Sequence, residues 1–292
     1  TKSQSVLFAA PGPIAARRTR ITNIITLIVV GAGIAWVLYQ LYLMDQLSPT
    51  RWGNALNADA WVDYYLPGLR FTLQSSVIAV LTSMIFGLVF GFLRLAPYKI
   101  IRWFAIVVVD FFRSVPVLVM MFFLYNYFAK VFAANGWIAA SDSPYYAVIV
   151  GLTLYNGAVI AELIRSGVHT LPRGQREAAA AIGMTRNQSL AFVEVPQALV
   201  AMLPALMSQF VVILKDSALG YLIGFYELLQ YSRQLGSAQS NMLQTLVVAA
   251  VIFVILNYIL TWAAGRLSGR LSSRTSGEIE IDTTVQRPAA TV

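Results

Sequence analysis

Residues 170–196 read TLPRGQREAAAAIGMTRNQSLAFVEVP, a polar interruption between two long apolar runs, and the rest of the chain is arranged around it. The stretch predicts a short helix with marked ends. Thr170 suits an N-cap, Pro172 suits a first turn, and Gly183 can supply the left-handed residue that closes the helix. Thr185 and Gln188 have the spacing of a capping box, so a second short helix is expected to follow. Between these ends sit Ala178, Ala179, Ala180 and Ala181, which favour helix without bulk. A helix with so small a face, flanked by Arg173, Arg176 and Arg186, lets another protein's surface approach closely. An ordinary loop helix between two spans satisfies the same local signals.

Composition places the whole chain in a bilayer. Apolar residues make up 58% of it and charged ones 12%, far from the balance of a soluble domain. Several apolar runs reach the ~20 residues that cross a membrane as helix. There is no cysteine, which excludes disulfide scaffolds, thiol catalysis and thiolate metal sites. A single histidine leaves no basis for a multi-histidine metal centre, and no metal is expected. The net charge of +8 does not point to nucleic acid, because the basic residues cluster at the ends of apolar runs. That is how membrane orientation is written.

Taken in order, residues 1–20 form a polar tail ending in Arg17, Arg18 and Arg20. The run 21–44 is too long for a signal-peptide core and lacks a small-residue cleavage site, so it is read as a retained span. Residues 45–65 are expected to be an extracytoplasmic loop whose Trp52, Trp61, Tyr64 and Tyr65 suit the interface. The second span, 66–93, contains Gly87 and Gly91 at a spacing that permits close helix contact. A turn with Arg94, Pro97, Lys99 and Arg102 leads to a third span, 103–128, carrying Asp110, Arg113 and Pro116. The fourth span is 145–163. The fifth starts near Gln197, and Gly220, Gly224 and Glu227 predict that it bends or breaks. The sixth is 242–264, and the polar tail 269–292 is expected to be disordered. With the N-terminus inside, most arginines fall on inside segments, and the outside loops hold little more than Arg51, Arg70, Lys130 and Arg233. Both termini and the Glu177 loop are therefore expected in the cytoplasm.

Ionised residues inside spans cost about 2.5–3.5 kcal/mol on insertion scales and normally face protein or water. Asp110 and Arg113 share a helix face and can pair, as can Glu162 and Arg165. Lys215 and Asp216 are adjacent and point differently. Arg113, Glu162, Lys215, Asp216 and Ser217 are the candidate substrate pathway, with cations for a carboxylate and Glu162 for an ammonium group. Structural pairing within the bundle explains the same charges. His169 is read as an interfacial loop residue. The sequon at Asn187 falls on an inside segment, where it is not modified. Met120, Met121, Phe122 and Phe123 are read as lipid-facing or packing residues.

Glu177-Ala178-Ala179, three residues, Gly183, nine residues, then Val193, a spacer, Val195 and Pro196 resembles the signature loop of ATP-binding-cassette importer permeases. That family usually has Ile and Leu where this chain has Val193 and Val195. The resemblance extends over residues 66–268. Residues 68–75, the Phe112-Arg113-Ser-Val-Pro116 element with Tyr125, Glu162 to Gly167, Pro172 to Gln175 and Lys215 to Leu219 are similar to permeases for polar amino acids. It implies an all-α membrane protein with six transmembrane helices. One is an extra N-terminal span, followed by a five-helix type I importer core and a cytoplasmic coupling helix at about 169–196. It also implies ATPase coupling through Glu177, Ala178, Ala179, Gly183 and Pro196. The implied partners are two ATP-binding subunits, a second permease subunit (a copy or a homologue) and an extracytoplasmic amino-acid-binding protein. No cofactor is expected in this chain, ATP and Mg2+ being bound by the partner ATPase. The extra span and polar tail make actinobacterial glutamate or glutamine permeases the nearest in kind.

Two other classes share the apolar composition. An intramembrane enzyme lacks support: there is no HExxH or GxSxG, Ser217 has no histidine to activate it, and no GxxxxGK[ST] occurs. A secondary transporter or channel is compatible with hydropathy alone and differs by working without an ATPase.

Overall fold

A backbone surrounded by lipid must satisfy its own polar groups, and this chain does so with helices throughout. The computed structural model describes residues 12–275, with no β-strand among them. The order is α1 (Pro13–Leu43), α2 (Pro49–Leu56), a π turn Ala60–Tyr65 running into α3 (Leu66–Leu95), α4 (Lys99–Ser114), then α5 (Val117–Tyr127). There follow α6 (Ser143–Thr170), α7 (Arg173–Ala181), α8 (Arg186–Ser189), a π turn Leu190–Glu194, α9 (Val195–Ala201) and α10 (Leu203–Asp216). A 3-10 turn Ser217–Ile223, α11 (Leu228–Ala238) and α12 (Met242–Thr275) complete it. Five helical segments are long and apolar enough to cross a bilayer, and α4 with Val117–Ala133 makes a sixth if that bent pair is one span.

Several expected boundaries differ. The third span is not continuous: α4 and α5 meet at 99°. The cause is local, because Pro116 disfavours helical backbone at the preceding residue and Val115 is extended. The fifth span is divided at Met202–Leu203, where α9 ends and Pro204 restarts the helix. Its far end bends as expected, with Gly224 at φ +82 after the 3-10 turn. The segment 45–65 is largely helical rather than an open loop, and the second span begins at Ala60. Helix α1 starts well before residue 21, and α12 continues past residue 269 to Thr275. Residues 1–11 of the N-terminal tail and 276–292 of the C-terminal tail lie outside the described residues.

Helix α6 is the central element, with 61% of its most apolar window buried inside the chain, against none of that of α1. Its closest partner is α3, and small residues allow the approach. A Cβ on Gly87 would fall 2.3 Å from Ile160 Cγ2, and one on Gly157 would fall 2.7 Å from the Phe86 ring. Gly91 abuts Ile164 in the same way, so both glycines of the GxxxG serve the α3–α6 contact. Thr82 and Thr153 hydroxyls bond across it at 2.6 Å. Of the four apolar residues read together above, Met120 and Met121 are buried and Phe122 and Phe123 face outward.

Helix α10 runs antiparallel to α6. Gly220 packs on Val148, Gln209 Nε2 donates to Asn156 Oδ1 at 2.5 Å, and Ala198 and Met202 pack on Gly167. This register sets the heights of the charged groups considered next.

Candidate functional site

The interruption at 170–196 folds as a compact unit under the α3–α6 end of the bundle. Pro172, with extended backbone, is the N-cap of α7. Thr170 is instead the last residue of α6, and its hydroxyl donates to the Gly167 carbonyl at 2.8 Å, so it does not cap α7. The far end follows the sequence reading. Gly183 has φ +81, Gly183 N–H donates to Ala180 O, and Met184 N–H donates to Ala179 O at 3.1 Å. Thr185 and Gln188 form the capping box of α8. The π turn then delivers Val195, buried, and Pro196 into the first turn of α9.

One face of α7 is held and the other is free. Ala179 is buried, while Glu177 and Ala178 are exposed. Ile182 beyond its end is 76% exposed and Phe192 on the π turn 72%. The apolar floor beneath comprises Leu95, Val168, Leu190, Val195 and Ala198. Arg176 and Arg186 do not simply flank an open surface, because both turn towards the buried carboxylate of Glu194.

The charges on α3, α4 and α6 form one cluster, in which Glu162 pairs with Arg165 as expected while Asp110 takes a different partner. Asp110 pairs with Arg94 at 3.1 Å, not with Arg113. Glu162 takes Arg165 at 2.6 Å, Arg94 at 2.9 Å and Arg113 at 3.5 Å. Arg94, assigned above to a turn, is the best buried member, with a side chain 8% exposed in the last turn of α3. Three guanidinium groups therefore face two carboxylates, and Arg113 has the longest contact. Arg113, Asp110, Ser114 and Tyr155 line a cavity of about 530 Å3 beside α4 and α6.

Lys215, Asp216 and Ser217 stand elsewhere. Lys215 lies six residues beyond Gln209 on α10, and Glu162 six residues beyond Asn156 on antiparallel α6. At ~1.5 Å per residue the two charges are ~18 Å apart along the bundle. Lys215 is exposed, and Ser217 is buried with its hydroxyl donating to Leu214 O at 2.7 Å. The structure thus joins Arg113 and Glu162 at one level and sets Lys215 at another. Among the described residues, no group of three or more His, Cys, Asp or Glu could hold a metal.

Asn156 and Glu194 escaped the sequence reading, which placed Arg94 in a turn and took Glu227 only as a sign of a bend. The available signal was a polar residue beside or inside an apolar run. Glu227 is fully buried and caps α11, its two carboxylate oxygens accepting from Leu229 and Gln230 N–H at 2.8 Å. Burial pushes this carboxyl up to about 7, against the two backbone donors that lower it. Between its usual 4.5 and 7 the folded chain keeps a proton that the unfolded chain has lost. The stability from this site is therefore complete below pH 4.5 and lost as pH rises through 7. Amide exchange in α11 should accelerate from pH 5.5 to pH 8 beyond the intrinsic trend, and Glu227→Gln should remove that excess.

Residues 83–273 match the family described as binding-protein-dependent transport system inner membrane component. The chain belongs to that family. It is 44% identical over 213 residues to the glutamate transport system permease protein GluD of Corynebacterium glutamicum, covering 73% of this chain and 77% of that protein. It is 30% identical over 196 residues to the glutamate/aspartate import permease protein GltK of Escherichia coli, covering 66% and 87%. Among solved structures it resembles an amino acid ABC transporter with histidines, with TM-score 0.62 and 25% identity over 72% of this chain and 95% of that one. A methionine ABC transporter in an inward-facing conformation shares the fold at TM-score 0.62 and 22% identity, covering 74% of this chain and 99% of that one. As a member of this family the chain is a multi-pass permease of the cell membrane, and the matched region contains the whole loop built above.

Proposed function

We propose that this chain is the permease subunit of an ATP-driven importer for a polar amino acid, with glutamate favoured over glutamine. The observation that carries the proposal is the 170–196 loop. It is a short helix closed by left-handed Gly183, with one free face, placed between two spans of a chain with 44% identity to a protein named as a glutamate permease. In this reading α7 docks into two-subunit ATPase machinery through Glu177, Ala178, Ala179 and Gly183, and Pro196 starts the helix that receives the motion. ATP and Mg2+ bind the ATPase subunits. A second permease subunit completes the pathway, and an extracytoplasmic binding protein delivers substrate. Purification of the tagged chain from its own membrane is the test. An ATP-binding subunit should co-purify in detergent. A chain that purifies alone and moves a solute on an ion gradient would instead be a secondary transporter or channel.

Both termini and α7 are proposed to face the cytoplasm, from the arginine asymmetry. The chain has no cysteine, so single cysteines at Asn135 and Gln175 report on sidedness directly. Impermeant thiol reagent on intact cells should label Asn135→Cys and spare Gln175→Cys. The reverse pattern contradicts the orientation.

The pathway is proposed to use Arg113 and Lys215 for the substrate carboxylate and Glu162 for its ammonium, with Asp216 and Ser217 beside Lys215. The ~18 Å between the levels makes these successive stations rather than one pocket. Arg113→Gln and Lys215→Gln are each expected to slow uptake about tenfold or more, as loss of a charged contact worth 1.5–3 kcal/mol implies. Wild-type rates in both would make the charges structural only.

A further inference from the structure

Glu194 occupies the spacer between Val193 and Val195, where the loop pattern asks for nothing in particular. Its side chain is only 3% exposed and lies at the edge of the apolar floor formed by Leu95, Leu190 and Val195. A carboxylate in such a place is costly unless it is paired and hydrogen-bonded. It is both. Oε1 accepts from the Ser189 hydroxyl at 2.7 Å and pairs with Arg186, and Oε2 faces Arg176 Nη2 at 3.7 Å. Arg176 belongs to α7, Arg186 and Ser189 to α8, and Glu194 itself is the N-cap residue of α9. Three segments of the loop therefore meet on one side chain. A second polar link from α7 to α9 is the exposed Gln197–Gln175 bond at 3.1 Å.

We propose that Glu194 is the positioning residue of the coupling loop, a carboxylate strut that fixes α7 and α8 against the start of α9. The inference rests on the function proposed above. A nine-residue helix is too short to hold itself in water and takes its orientation from tertiary contacts. Within α7 Ala179 is buried while Glu177, Ala178 and Ala180 are exposed, and the chain leaves it through the left-handed Gly183. A push on α7 would be absorbed at Gly183 and at the Leu171–Pro172 entry unless something stiffens the loop. Glu194 does so at the point where the push must enter α9. Because the carboxylate is buried and its two arginines reach it from the loop, the strut holds orientation without presenting any new surface to a partner.

The test uses the whole transporter in proteoliposomes. Glu194→Gln keeps side-chain shape and the Ser189 bond and loses both ion pairs. Substrate moved per ATP hydrolysed should fall roughly tenfold, within the range for residues that carry coupling. Basal hydrolysis, which belongs to the partner subunits, should persist, and Glu194→Asp should recover part of the loss. Spin labels on an Ile182→Cys, Phe192→Cys pair should show a broadened distance distribution once Glu194→Gln is added. Wild-type stoichiometry with an unbroadened distribution overturns the strut. If Glu194→Gln does not assemble, the Arg176→Gln, Arg186→Gln double variant decides: uncoupling supports the strut and wild-type coupling overturns it. A wild-type assembly without ATP-stimulated uptake would contradict the proposed function itself, and the spin-label comparison would still decide the role of Glu194.

Discussion

Gly183→Val is expected to abolish substrate stimulation of ATP hydrolysis while leaving membrane insertion and helix content unchanged. Gly183 closes α7 at φ +81, a region that costs a non-glycine residue about 1–2 kcal/mol and a β-branched one more. No atom lies within 4 Å of where its Cβ would be, so the penalty is in the backbone and not in a clash. A chain that cannot hold the left-handed residue loses the two bonds that close α7, from Gly183 and Met184 N–H. The spans draw their stability from burial and lipid, so they persist. The effect should rank Gly183→Asn below Gly183→Ala below Gly183→Val, because asparagine tolerates the left-handed region best. Glu177→Ala should be milder still, since that side chain is exposed and its loss leaves the backbone alone. Equal stimulation across the series would separate the loop's geometry from coupling.

The second large effect concerns Arg94. Its guanidinium joins the end of α3 to Asp110 on α4 and Glu162 on α6. Removing one partner from a buried ion pair costs about 3–5 kcal/mol because it strands the other charge. Here Glu162 keeps Arg165 and Arg113, and Asp110 is half exposed, so Arg94→Leu belongs at the low end, about 3 kcal/mol. Asp110→Asn should cost no more than about 1 kcal/mol, as for an exposed pair. Thermal unfolding in detergent should therefore separate the two variants clearly, with Arg94→Leu melting lower. Arg94→Lys should not rescue fully, since one ammonium cannot reproduce the planar fork that serves two carboxylates. Equal melting temperatures would mean that the cluster does not hold α3, α4 and α6 together.

What was legible in the sequence, and what was not, divides along the range of the interactions. The Gly183 closure and the Thr185–Gln188 box depend on residues within one turn, and both were readable. Apolar length gave five of the six expected spans, and the sixth holds if the bent α4–α5 pair is one span. The 99° break between α4 and α5 was signalled by Pro116 yet read as part of one span, because proline-kinked helices also cross membranes unbroken. Asp110 and Arg113 sit three apart and invited a pair along one helix. The true partners came from α3 and α6, whose relative rotation is set by Gly87, Gly91 and Gly157 and cannot be read from spacing. Thr170 failed as a cap for a local reason: Leu171 and Pro172 leave the helical region, so α7 starts past it. Glu194 was invisible because a lone acid near a membrane end is normally a solvated one.

The coupling of this chain to an ATPase is the central claim, and reconstitution tests it most directly. Proteoliposomes would contain the chain, its ATP-binding subunits and any second permease subunit, with labelled glutamate and the extracytoplasmic binding protein outside and ATP inside. The account predicts uptake that requires ATP and binding protein together and survives collapse of ion gradients. Uptake by this chain alone, without the ATPase and following an ion gradient, would contradict it.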